Sequence, residues 1–256
     1  MVDPAQFPPP VKPAEEFVAP VTDPEEERIE VGMAIAGGGP AGVACAIKAA
    51  QLLEEEPELA EKLGEVPIAV IEKGKTTGAH LLSGANMRPS AMRELFPDLD
   101  PSDWPVYQEV TKDAVYLLTP KLALPLKPMP PNFRNHGNYV TSVAKLGRFL
   151  GEQAEEKGVY ILSETSADKL LVEDRIVRGV RSGDKGRDRE GDERPNFEPG
   201  SDLIAKATVL AEGTVAAHMR DIVHPDIELP PPEQVRAAVE VGKMVLDLLL
   251  EQGIKI

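Results

Sequence analysis

The stretch VGMAIAGGGPAGVACAIKAA, residues 31–50, constrains this chain more than any other. An apolar run meets three glycines and a proline, then an alanine-rich run of helical character. Gly37, Gly39 and Gly42 fit G-x-G-x-x-G, placed directly after a predicted strand (29–36) and at the opening of a predicted helix (40–56). Each glycine has a mechanical task. The first lets the chain turn sharply off the strand. The second leaves no side chain between the backbone and a pyrophosphate, and the third lets the helix pack close to the sheet. The helix N-terminus then offers unpaired N–H groups and a positive dipole end to phosphates. The run VPIAVIE, 66–72, reads as a second strand. Strand, glycine turn, helix and strand make a βαβ unit with parallel strands. The expected fold class is therefore α/β, a Rossmann-like FAD/NAD(P)-binding domain with a smaller β-rich insertion.

Glu72 closes the second strand, where an acid accepts hydrogen bonds from the adenosine ribose hydroxyls. It lies further from the glycines than the usual ~20 residues, and the polar insertion 54–65 accounts for the difference. An acid here disfavours a 2′-phosphate, so NADP fits poorly. FAD and NAD share an adenosine diphosphate half, and the glycine turn alone leaves both open.

The rest of the chain is read as follows. Residues 1–28, rich in proline and acid, form an extended or disordered arm. Residues 73–85 form a glycine-rich loop, and 88–96 a short helix. Residues 97–138 form strands and loops packed over the site, an insertion in a domain spanning 29–213. Residues 139–157 carry apolar side chains at the spacing of an amphipathic helix. A strand at 159–163 and a hairpin around EDR (169–172, 176–180) follow. Then come a charged loop at 183–200 and a strand at 203–210. Residues 214–256 are a linker and a terminal helix at 235–250.

Composition removes several function classes. A net charge of −15 argues against a nucleic-acid partner, which needs a basic footprint. The single cysteine, Cys45, excludes an internal disulfide and cannot ligate an iron–sulfur cluster by itself. It reads as a packing residue of the first helix. No stretch approaches the ~18 apolar residues of a membrane span, and the N-terminus lacks a basic-then-apolar leader.

The glycine-rich KTTGAHLLSGA after Glu72 and the hairpin followed by ATVLAEG resemble flavoproteins of the glutathione-reductase-like and hydroxylase-like type, which points to FAD. More specifically, GGGPAGVACAIKAAQL, VIEKGKTTGAHLLSGANMRPSAMRELFP, NHGNYVTSVAKLGRFLGEQAEEKGV and ATVLAEG resemble electron transfer flavoprotein–ubiquinone oxidoreductase. The resemblance runs from about 28 to 213, the N-terminal portion of such an enzyme. It implies FAD, with electrons taken from electron transfer flavoprotein and passed to ubiquinone at a membrane surface. It implies a cytoplasmic location, peripheral at the inner face of the membrane.

By the same resemblance Gly37, Gly38, Gly39, Pro40, Ala41 and Gly42 hold the pyrophosphate, and Glu72 with Lys73 lies at the ribose. Gly78, Ala79, His80 and Ser83 wrap the cofactor, and Ala211, Glu212 and Gly213 close over the adenine side. The flavin carries the redox chemistry, so no catalytic side chain is assigned. His80 and His136 are read as hydrogen-bonded structural residues. Family members are about twice as long, with a later Gly-Asp flavin motif, a quinone region and a four-cysteine cluster domain. This chain shows none of these, which implies a second, cluster-bearing polypeptide. Two other readings stay open: an FAD- or ADP-binding fragment without full turnover, and an NAD(P)H-linked flavin reductase.

Overall fold

Strands β2 (Arg28–Ala36) and β3 (Ile68–Ile71) lie side by side and parallel, Met33 opposite Ile68 and Ala36 opposite Ile71, as the βαβ pattern requires. This is seen in a computed structural model that describes residues 18–22, 28–82, 84–129, 131–174, 176–188 and 192–213. Between the two strands run α1 (Pro40–Glu55) and the short α2 (Pro57–Leu63). Proline stands at the first position of both helices, where its missing N–H costs nothing. The buried face of α1 is Gly42, Val43, Ala46, Ile47 and Ala50, one stripe at helical spacing.

Among the described residues the main sheet has seven strands. Its parallel half is β14 (Asp202–Leu210), β2, β3 and β9 (Tyr160–Leu162). On the far side of β14 the hairpin β10 (Ala167–Glu173) and β11 (Ile176–Ser182) adds two antiparallel strands. A two-residue strand β1 (Val18–Ala19) then closes the edge, parallel to β10. Five residues of the proline- and acid-rich stretch, 18–22, thus belong to the fold rather than to an arm.

Helix α1 packs on α4 (Val143–Glu156) over one face of the sheet. There Ile35, Val43, Ile47, Val70, Leu150 and Ala154 form the larger core. Phe96 meets Phe149 edge-on at 5.7 Å, and Trp104 meets Tyr139 at 5.4 Å. A second cluster of Val31, Ala34, Ala69, Ile71, Val180 and Leu203 fills the other face. The split follows strand alternation: Val70 belongs to one cluster, its neighbours Ala69 and Ile71 to the other.

A three-stranded antiparallel sheet stands beside this layer, ordered β4 (Ala85–Met87), β8 (Tyr139–Thr141) and β5 (Val106–Glu109). Between β4 and β5 runs α3 (Ser90–Leu95). Beyond β5 is a separate hairpin, β6 (Tyr116–Leu118) with β7 (Ala123–Pro125).

Two expectations are corrected. The helix expected at 139–157 gives its first three residues to β8 and starts at Val143, because the Ser142 hydroxyl caps it by accepting from the Lys145 N–H. The charged stretch expected as a loop at 183–200 pairs with itself, β12 (Lys185–Arg187) against β13 (Glu193–Glu198). The terminal helix expected at 235–250 lies outside the described residues.

Candidate functional site

The parallel strands end together, and their carboxyl ends frame a cleft of roughly 410 Å³. This is where open α/β sheets bind ligands. Gly37 follows β2 with φ of +115°, a conformation that L side chains rarely adopt. Its N–H donates to the Ile71 carbonyl (3.0 Å), and a Cβ there would lie 2.5 Å from the Ala211 carbonyl oxygen. Gly39 caps α1 without a side-chain hydrogen bond, and the first helical bond runs from Val43 N–H to Gly39 C=O (3.0 Å). The N–H groups of Ala41 and Gly42 therefore have no acceptor in the helix and face the cleft end of α1. No acidic residue occupies that first turn. A Cβ on Gly42 would fall on the Gly37 carbonyl oxygen, whereas one on Gly39 would meet nothing within 4 Å. The two glycines thus differ: one is needed for packing, the other leaves open space above the turn.

Glu72 leaves the end of β3 buried. Its Oε1 accepts from the Gly74 N–H (2.6 Å), which folds the carboxylate back beneath the glycine turn. A Cβ on Gly38 would lie 2.5 Å from Oε2. Gly38 is therefore required by Glu72, a coupling that the fingerprint does not express. The backbone around Glu72 is fixed by its N–H to Leu162 C=O (2.9 Å) and by Thr165 N–H to its own C=O (3.0 Å). His80 Nδ1 is 3.8 Å from Oε1 on a side chain 58% exposed. Across the cleft, burial pushes the Glu212 carboxyl above the ordinary glutamate range, against the opposing charge of Lys73.

Helix α4 positions the loop that covers the cleft. A Cβ on Gly147 would lie 2.8 Å from the Gly78 Cα, and one on Gly151 would fall on the Thr77 hydroxyl. The pair, four residues apart on one helical face, lets the segment holding Gly78, His80 and Leu81 sit directly on α4.

Of the residues expected from sequence, Gly37, Gly38, Gly39, Pro40, Ala41, Glu72, Lys73, Gly78, His80, Ala211, Glu212 and Gly213 line this cleft. Gly42 and Ala79 do not line it. Gly42 packs behind the turn, and Ala79 stands against Gly74. Ser83 lies outside the described residues. Neither His80 nor His136 has a hydrogen-bond partner among the described residues, contrary to the expectation for both, and His136 is exposed. No described residue of 97–138 lines the cleft, so the insertion is not packed over it.

Leu81, within the 78–83 stretch expected to wrap the cofactor, also lines the cleft, and sequence reasoning missed Ile71, Thr165, Ser166 and Ala167. The last three follow β9, and its end at the same edge of a parallel sheet was the available signal. Cys45 is half-buried against the larger core, and burial pushes its thiol up. This is the environment of a packing residue.

No protein-family model matches the chain. It is 39% identical over 193 residues to a probable electron transfer flavoprotein–ubiquinone oxidoreductase of Acinetobacter baylyi, a match covering 74% of this chain and 33% of that protein. It is also 39% identical over 194 residues to the electron transfer flavoprotein–ubiquinone oxidoreductase of Pseudomonas aeruginosa, covering 74% and 34%. Among solved structures, a geranylgeranyl bacteriochlorophyll reductase-like protein of Thermoplasma acidophilum superposes with a TM-score of 0.50. It is 20% identical, over 74% of this chain and 41% of that one. That likeness shows the α/β, Rossmann-like fold. Over 74% of its length the chain is thus similar to electron transfer flavoprotein–ubiquinone oxidoreductases, and it spans about one third of theirs.

Proposed function

We propose that this chain binds FAD and serves as the cofactor-holding part of an oxidoreductase that carries electrons from electron transfer flavoprotein towards a quinone. The carrying observation is the cleft itself. Unpaired N–H groups at the start of α1, open space over Gly39 and a buried Glu72 carboxylate converge at the ends of four parallel strands. The residues fit a dinucleotide: Gly37–Gly42 take the pyrophosphate, Glu72 the ribose, Thr165–Ala167 the adenosine end, and Ala211–Gly213, set against Gly37, flank the diphosphate rather than the adenine. The bound flavin supplies the redox chemistry, and these residues bind and orient it. The two relatives' names support the electron-transfer role.

The role needs more protein than the described residues. A 410 Å³ cleft is at the low end of small-molecule sites, which span roughly 300–1,000 Å³, and suits an adenosine diphosphate half. The flavin ring, the quinone and any four-cysteine cluster then fall to protein outside the described residues. The same volume favours a second reading, an FAD- or ADP-binding unit without turnover.

The membrane role is supported by the β6–β7 hairpin. Tyr116, Leu117, Leu118, Leu122 and Leu124 are all exposed on it, Leu118 by 74%. Exposed Lys112, Lys121 and Lys127 lie next to them in sequence, in a chain of net charge −15. An apolar hairpin with lysines close in sequence suits peripheral attachment to anionic lipid. Among the described residues no helix is long and apolar enough to cross a membrane.

The visible spectrum of the protein after incubation with FAD and removal of the excess tests the cofactor reading. Oxidised-flavin bands support it, and a colourless protein sinks it. Bleaching of those bands by reduced electron transfer flavoprotein supports the electron-transfer role. Bleaching by NADH alone would replace it with the flavin-reductase reading.

A further inference from the structure

We propose that Glu212 makes flavin retention pH-dependent, its ionised carboxylate opposing the FAD diphosphate and its neutral form admitting it. This rests on the cofactor reading above. The titratable side chains lining the cleft are Glu72, Lys73, His80 and Glu212. The glycine turn, the first turn of α1 and residues 165–167 add none.

The two carboxylates are not equivalent. Glu72 is committed to the Gly74 N–H and folded under Gly38. Glu212 follows β14, half-buried, and makes no hydrogen bond among the described residues. Ala211, the residue before it, is where a Cβ on Gly37 would collide. Glu212 is thereby fixed beside the phosphate end of the cleft. Among the described residues Lys73 offsets its charge, and burial already favours its neutral form. A diphosphate brought to the same place adds like charge and drives proton uptake at Glu212. By linkage, FAD affinity then falls as pH rises through the Glu212 pKa of the free protein.

His80 is the competing source of such a trend, because its cation also attracts the diphosphate. The test is FAD affinity, read by flavin fluorescence quenching from pH 4.5, the ordinary glutamate value, to 8.5, in the wild type and in Glu212→Gln, Lys73→Gln and His80→Gln. The wild type should lose roughly three- to tenfold in affinity across that range, the size of a partly screened charge interaction. Glu212→Gln should bind more tightly than the wild type at pH 8.5 by that factor, with a flat profile. Lys73→Gln should bind more weakly at high pH and show a steeper profile. His80→Gln should keep the wild-type slope. A wild-type slope in Glu212→Gln, or a flat profile in His80→Gln, overturns the proposal while the cofactor reading stands. A wild type that takes up no FAD at any pH overturns both.

Discussion

Gly39 and Gly42 stand three residues apart in one motif and have opposite physical roles. A Cβ at Gly39 meets nothing within 4 Å, so Gly39→Val leaves the packing intact and fills the space proposed for the phosphate. It should cost at least about tenfold in FAD affinity, or ~1.4 kcal/mol, with thermal midpoint unchanged by calorimetry. Gly42→Ala places its methyl on the Gly37 carbonyl. It should cost about 1–3 kcal/mol of stability by overpacking, read by denaturant unfolding. The motif was legible because its glycines answer to backbone geometry. The link between Gly38 and the Glu72 carboxylate was not legible, since it depends on how a side chain folds back to accept from Gly74. Thr165 to Ala167 escaped for a related reason. They carry no signature and enter the site only because β9 ends beside β3.

Among elements, α4 and the edge of the main sheet support the site from a distance. Gly151→Leu should push the loop of Thr77 and Gly78 off α4 and weaken FAD binding from outside the cleft, a loss visible in the same quenching titration. At the sheet edge, Asp202 is 2% exposed. It accepts from the Thr22 N–H (2.7 Å), the Thr22 hydroxyl (2.6 Å) and the Arg181 Nε (2.6 Å). Burial pushes this carboxyl up, and the hydrogen bonds from Arg181 and Thr22 outweigh it, holding it below the usual aspartate range. Asp202→Asn should cost about 2 kcal/mol near neutral pH.

A carboxylate depressed in the folded state contributes above its unfolded pKa of about 3.9 and stops contributing as pH falls through its folded value. The wild-type advantage over Asp202→Asn should therefore persist at pH 5–7 and shrink below about pH 4. Periodicity marked β2, α1, α4 and the β10–β11 hairpin. Strand pairing among short polar segments, as in β12–β13 and β8, left no comparable trace. β12 and β13 are set by their local pairing, and β8 by β4 and β5, distant in sequence, and by the Ser142 cap that follows it.

At the scale of the molecule, the described residues build a cleft proposed to hold one half of a dinucleotide, and an exposed apolar hairpin. The cleft collects four strand ends, while the hairpin rises from a region that adds nothing to the cleft. Serine at Leu117, Leu118 and Leu124 together should leave the flavin spectrum unchanged and abolish co-sedimentation with vesicles containing anionic lipid. Vesicle binding that survives this change would remove the hairpin from the account. Lengthwise, the chain spans about a third of the relatives it matches, and the proposal made for the described residues is cofactor binding. The most direct measurement is an FAD titration of the wild type and Gly39→Val by flavin fluorescence quenching. Saturable binding by the wild type, lost or weakened at least about tenfold in a variant of equal stability, is the result this account predicts. Equal affinity in the two proteins, or no binding by the wild type, would contradict it.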